Sequence, residues 1–108
     1  GDAQAQANLQ LLLNTVVWGM NPQEAVESPR FSSLSVPNSF YPHNYLAGQL
    51  ALEDAFPQST FDALTNMGHH VTCVATCGMG GTVTTRNPTT GVFATGADPR
   101  RSCYAIGW

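Results

Sequence analysis

GDAQAQANLQLLLNTVVWGMNPQEAVESPR, residues 1–30, reads as two helices in succession and decides the fold class. Leu9, Leu12, Leu13, Val16 and Met20 recur at three- and four-residue steps, a stripe that predicts one buried helix face. Asp2 stands where its carboxylate would cap the free amides of the first turn, and Gly19, Asn21 and Pro22 stop the run. A second start follows at once. Asn21-Pro22-Gln23-Glu24 supplies a cap residue, a proline at the first helical position and a glutamate three residues after the cap, which together predict a capping box. Pro29 ends that short helix.

Working outward, Phe31 to Val36 is extended in character, and Pro37, Asn38, Ser39, Pro42, His43, Asn44 and Gly48 then punctuate a long irregular connection. Leu50 and Leu52 alternate with Ala51 and Glu53 in a short strand. Pro57 to Met67 predicts a third helix with Phe61 and Leu64 inward and Gly68 at its C-terminal stop. His69 to Cys77 alternates as a strand, Val71, Cys73, Ala75 and Cys77 facing one way. Thr82 to Arg86 and Val92 to Gly96 flank Asn87-Pro88-Thr89-Thr90-Gly91, a turn sequence that predicts a β-hairpin.

The chain has 108 residues, enough for one domain with a small core. Only 10% of them are charged, against roughly a quarter in an ordinary soluble domain, and none between Ala3 and Gln23. A first helix carrying Gln4, Gln6, Asn8, Gln10 and Asn14 is too polar to span a lipid bilayer and too uncharged for an open solvent face, so a protein partner is expected against it. A net charge of −3 with four basic residues excludes a nucleic-acid binder, whose partner demands clustered cations. The start at Gly1, directly against a helix, reads as a processed or truncated piece of a longer protein that is not a stable domain alone. Localisation is not readable from composition.

His69, His70, Cys73 and Cys77 carry ligand types that zinc prefers, but on a strand a four-residue step is about 13 Å at ~3.3 Å per residue, too far for one tetrahedral ion or for a Cys73–Cys77 disulfide. Buried small hydrophobes are therefore expected there, and no metal and no cofactor. Cys103 has no histidine near it in sequence to make it a nucleophile. Asp98-Pro99-Arg100-Arg101 reads as a turn held by its own ion pair, with Asp98 and Arg100 structural. Gly1 is the candidate catalytic group: a backbone amide ahead of a helix, with no Cβ to block approach, suits a developing oxyanion.

The order of LQLLLNTVVWGM, NPQEAVESPRF, FDALTNMGHHV and NPTTGVFATGADPRR resembles the C-terminal part of the small catalytic subunit of gamma-glutamyltransferases, NPQEAVESPRF and GADPRR being the specific parts. The resemblance implies an α+β chain, residues 1–108 forming a single partial domain of the four-layer αββα sandwich of N-terminal-nucleophile hydrolases. It implies a precursor that cleaves itself and an upstream N-terminal threonine that attacks a gamma-glutamyl or related amide. Gly1 would be the second glycine of the oxyanion pair. The partners implied are the upstream segment, a large subunit of the same precursor and a small amide substrate; a periplasmic or extracellular setting rests on the resemblance alone. Asp2 and the tail Ser102 to Trp108 depart from the better-known members and leave substrates other than glutathione open. Gly1 carries no hydroxyl or thiol, so the chain alone is expected to be inactive.

Overall fold

The computed structural model describes residues 2–107, so the assignment made for Gly1 lies outside the described residues. Its elements are α1 (Gln4–Val16), α2 (Pro22–Glu27), β1 (Phe31–Ser33), β2 (Gln49–Glu53), α3 (Gln58–Asn66), β3 (His70–Val74), β4 (Thr82–Arg86) and β5 (Phe93–Ala97). They fall into two compact units, Gly1–Ala3 with Pro29–Cys77 and Gln4–Ser28 with Gly78–Trp108.

The first unit is a three-stranded sheet ordered β1-β2-β3. β1 runs antiparallel to β2, with Phe31 opposite Leu52, and β2 runs parallel to β3, with Leu50 opposite Val71. A parallel pair needs a crossover, and α3 supplies it. Phe61 and Leu64 of that helix are half-buried, and Gly68, at φ +97°, turns the chain out of it. Ala51 and Leu52 form the buried centre of the sheet. β3 stops at Val74 rather than Cys77 because β2 runs out first: Glu53 is its last paired residue, and Phe56 N–H turns back to the Glu53 carbonyl at 3.2 Å. Two charged residues are buried here, Arg30 and Glu53. The Glu53 carboxylate accepts from the amides of Arg30 and Cys77, each at 3.0 Å.

The second unit pairs α1 and α2 with the β4–β5 hairpin. The capping box of α2 is formed in both directions: Asn21 Oδ1 accepts from Glu24 N–H at 3.0 Å, and Glu24 Oε2 accepts from Asn21 N–H at 2.9 Å. The hairpin runs in register from Thr82 opposite Ala97 to Arg86 opposite Phe93, one residue later on its second strand than the pattern predicts. Gly91, at φ +75°, closes its loop.

Two expectations for α1 are corrected. The face it buries is Ala7, Gln10 and Leu11, whereas Leu9, Leu12 and Val16 are exposed and Leu13 and Met20 are half-buried. Within this unit the small Ala7 and the adjacent Leu11 give the close approach, and a Cβ on Gly81 would lie 2.9 Å from Leu11 Cδ1. Asp2 is not the helix cap either. The helix begins at Gln4, and the Asp2 carboxylate accepts from the Ser39 amide at 2.8 Å instead. Among the described residues no helix is long and apolar enough to cross a membrane.

Candidate functional site

The two stretches that carried the resemblance meet inside the second unit. Arg100 lies along the C-terminal end of α2, where the last carbonyls of any helix lack an intrahelical partner. Its Nη1 donates to the Val26 carbonyl at 2.7 Å and its Nη2 to the Ser28 carbonyl at 3.0 Å. The positive guanidinium also suits the negative end of the helix dipole. Asp98 holds that fork in place. Its Oδ1 accepts from Arg100 N–H at 2.9 Å and from Arg100 Nη1 at 3.1 Å, and its Oδ2 accepts from Gly81 N–H at 3.3 Å. The Cys103 thiol donates to the Asp98 carbonyl at 3.1 Å.

Gln23 joins the same two stretches from the other end of α2. Its side-chain amide accepts from Ala97 N–H and donates to the Ala97 carbonyl, each at 3.1 Å, so it pairs with β5 as a strand would. Such an approach leaves no space at Gly96, where a Cβ would collide with the Pro22 carbonyl and lie 2.6 Å from Gln23 N. The contacts of Arg100 with the end of α2 and of Gln23 with β5 are not visible in the local sequence pattern, because the partners lie 72 to 74 residues apart.

In the first unit the connection between β1 and β2 carries the polar geometry. Asn38 N–H donates to the Asn44 carbonyl at 3.0 Å, and His43 N–H donates to the Phe40 carbonyl at 2.7 Å across a turn containing the cis Tyr41–Pro42 bond. His43 stands at φ +61°, and its Nδ1 lies 2.8 Å from the Asn38 carbonyl. Since a carbonyl oxygen only accepts, Nδ1 carries a proton in this contact. Asp2 ties this connection to the start of the chain. Hydrogen bonding from the Ser39 side chain, and then from its amide, holds the Asp2 carboxyl below the usual carboxylate range.

The metal candidates are dispersed. His69 and Cys73 are exposed, and the Cys77 thiol donates toward the Arg30 carbonyl at 3.5 Å. Among the described residues no three His, Cys, Asp or Glu side chains gather around a position for one ion, and no disulfide joins Cys73, Cys77 and Cys103. A groove of about 370 Å³ runs between α1 and β4, lined by Asn8, Leu11, Leu12, Thr15, Val16 and residues 82–85. It offers apolar surface and hydroxyls but no titratable group.

The family model for gamma-glutamyltranspeptidase matches residues 1–108. The chain belongs to the gamma-glutamyltranspeptidase family. Its fold is the α+β fold of N-terminal-nucleophile hydrolases, and members of the family are transferases and hydrolases that process themselves. The chain is similar to the cephalosporin acylase from Bacillus halodurans, at 32% identity and a TM-score of 0.82, covering 100% of this chain and 18% of that one. It is also similar to an acivicin-inhibited gamma-glutamyltranspeptidase, at 27% identity and a TM-score of 0.69 over 95% of this chain and 50% of that one. The T380A mutant of the Helicobacter pylori gamma-glutamyltranspeptidase gives 26% identity and a TM-score of 0.69, again spanning half of that chain. No curated protein matches. This member of the gamma-glutamyltranspeptidase family thus corresponds to a fifth to a half of the structures it resembles.

Proposed function

We propose that residues 1–108 are a single partial domain, the C-terminal portion of the small catalytic subunit of a gamma-glutamyltransferase-like enzyme. The enzyme transfers or hydrolyses a gamma-glutamyl or related acyl group through an N-terminal threonine upstream of this chain, in company with a large subunit. The observation that carries the reading is the family match along residues 1–108, with its two diagnostic stretches packed on one another through Arg100 and Gln23. In this reading Asp98 and Arg100 are structural, and Gly1 donates its amide to the oxygen that becomes negative as the threonine adds to the substrate carbonyl. A carboxylate next to an oxyanion donor would oppose that charge. The engagement of Asp2 with Ser39 supports the assignment, because it occupies the carboxylate elsewhere.

The test is Gly1→Val in the full-length, matured enzyme, with mass spectrometry first confirming that self-cleavage has exposed the new N-terminus. Loss of one oxyanion donor costs roughly a hundred- to a thousandfold in turnover, so kcat should fall by that order while KM changes little. Turnover within a few-fold of wild type would make Gly1 a residue of the scaffold only. The rival reading, a non-catalytic relative that keeps the sandwich as an interaction scaffold, is decided by the residue exposed upstream. Threonine, serine or cysteine there supports the enzyme, and any other residue sinks it.

A further inference from the structure

We infer that the groove between α1 and β4 receives a β-strand, which adds to the open edge of β4 beneath α1 and belongs to the segment of the same precursor that leads into α1; this rests on reading residues 1–108 as one portion of a longer precursor. Consecutive side chains of a strand point to opposite faces of its sheet, so a groove lined by all of residues 82–85 follows the edge of β4 rather than either face. That edge presents a row of backbone donors and acceptors. Asp98 N–H donates to the Gly81 carbonyl and Asn87 N–H to the Val92 carbonyl, which makes Val83 with Gly96 and Thr85 with Ala94 the pairs that exchange hydrogen bonds across the hairpin. The N–H and C=O groups of Thr82, Thr84 and Arg86 are thus directed away from β5, and among the described residues β5 is the only strand paired with β4.

The opposite wall matches a strand in length and chemistry. Asn8, Leu11, Leu12, Thr15 and Val16 stand at the three- and four-residue steps of one helix face, about 12 Å of α1 at ~1.5 Å per residue, beside about 10 Å of β4 at ~3.3 Å per residue. α2, roughly 10 Å across, packs on both strands of the hairpin, whose spacing is about 4.8 Å, and α1 packs against α2. α1 thus extends past β4 over the position of a third strand, with Leu12 58% and Val16 70% exposed. A strand there would cover both and would add to a hairpin that is marginal with two strands alone. The groove holds no titratable side chain and α1 no charged residue, so the side chains the strand turns toward α1 are uncharged: a charge enclosed there would find no partner. The chain covers 18% of the cephalosporin acylase and 50% of the acivicin-inhibited gamma-glutamyltranspeptidase chain, so a precursor of such size has the chain to supply it. Consecutive elements are usually neighbours in space, which selects the segment directly ahead of α1.

The experiment is residue-resolved hydrogen exchange on the full-length matured protein. With the edge paired, the amides of Thr82, Thr84 and Arg86 should exchange about a hundredfold or more slower than in an unstructured peptide, and smaller protection overturns the inference. Thr84→Pro removes an outward N–H and no bond to β5, so a bare edge tolerates it. On a paired edge it should speed exchange at Thr82 and Arg86 about tenfold or more, and a smaller change overturns the inference; if the variant does not fold, the wild-type exchange decides by itself. A photoactivatable p-benzoylphenylalanine in place of Leu12 identifies the occupant. The cross-linked peptide should be the one directly ahead of residue 1, whereas a peptide from elsewhere in the precursor, the same groove of a second copy, or no cross-link overturns the assignment. Amide cleavage is assayed separately: a protein that protects this edge yet transfers or hydrolyses no gamma-glutamyl or related acyl group overturns the proposed activity and leaves the strand addition standing.

Discussion

Asp98 and Asp2 each use a carboxylate to hold a remote piece of backbone, and they do it in opposite surroundings. Asp98 is buried to 1% exposure and accepts from its own turn, from Gly81 and from a guanidinium that is itself bound to the end of α2. Asp2 is exposed and accepts from a single residue, Ser39, 37 residues away. A buried carboxylate whose partners are removed is left uncompensated in a medium of low dielectric, whereas an exposed one is rehydrated. The first arrangement thus sets whether its unit folds. The second sets where a loop rests.

The comparison breaks most visibly at Asp98. Asp98→Ala should cost about 3–5 kcal/mol in chemical denaturation of the complete enzyme, because Arg100 keeps its charge in a half-buried site without its carboxylate. If melting were unchanged and activity alone were lost, Asp98 would belong to the chemistry instead of the scaffold. Next in size is Gly96→Ala, which inserts a methyl against the Pro22 carbonyl and should destabilise the same unit by about 1–3 kcal/mol. A neutral result would mean that α2 slides on β5 without penalty. Smallest in stability is Asp2→Ala, expected to leave the melting curve in place while accelerating hydrogen exchange at the Ser39 amide.

A titration sharpens the same contrast. The folded-state pKa of Asp2 is depressed by hydrogen bonding from Ser39, so its contribution is complete above the unfolded-state value and is lost as pH falls through the lowered folded value. The anchor should persist at neutral and mildly acidic pH. The Ser39 amide resonance should report a midpoint below that of an unperturbed aspartate, and a midpoint at the ordinary value would show that the bond is not populated in solution.

Local chemistry was legible in the sequence wherever both partners lie within a few residues. Asn21 and Glu24 announce their capping box, Asn87 to Gly91 their hairpin, and Gly68 the end of its helix. Asp98 and Arg100 stand two apart, so their pairing is readable, but the acceptors of Arg100 at Val26 and Ser28 are not. Asp2 misled for the same reason: a carboxylate just before a helix satisfies the capping rule, and nothing local reveals a competing amide at Ser39. The stripe on α1 is a further case. Periodicity finds the most apolar face, while the described neighbours cover Ala7, Gln10 and Leu11, and the exposed Leu9, Leu12 and Val16 are where a partner is expected. The order strand, helix, strand from Gln49 to Val74 did contain the parallel crossover, since that connection is what a parallel pair requires.

The bonds from Arg100 and Gln23 also bear on time. The last carbonyls of α2 and the Gln23 side chain near its start find their partners 72 to 74 residues further along the chain. At roughly 5–20 residues per second of synthesis, α2 waits about 4–15 s with its last carbonyls and its β5 contact unmet. Contacts of such sequence separation are the slow ones to close in any case. The helix that the capping box starts early is therefore among the last elements to be locked. For that interval Ala25 and Val26, fully buried once the unit is folded, wait for the hairpin that α2 packs against.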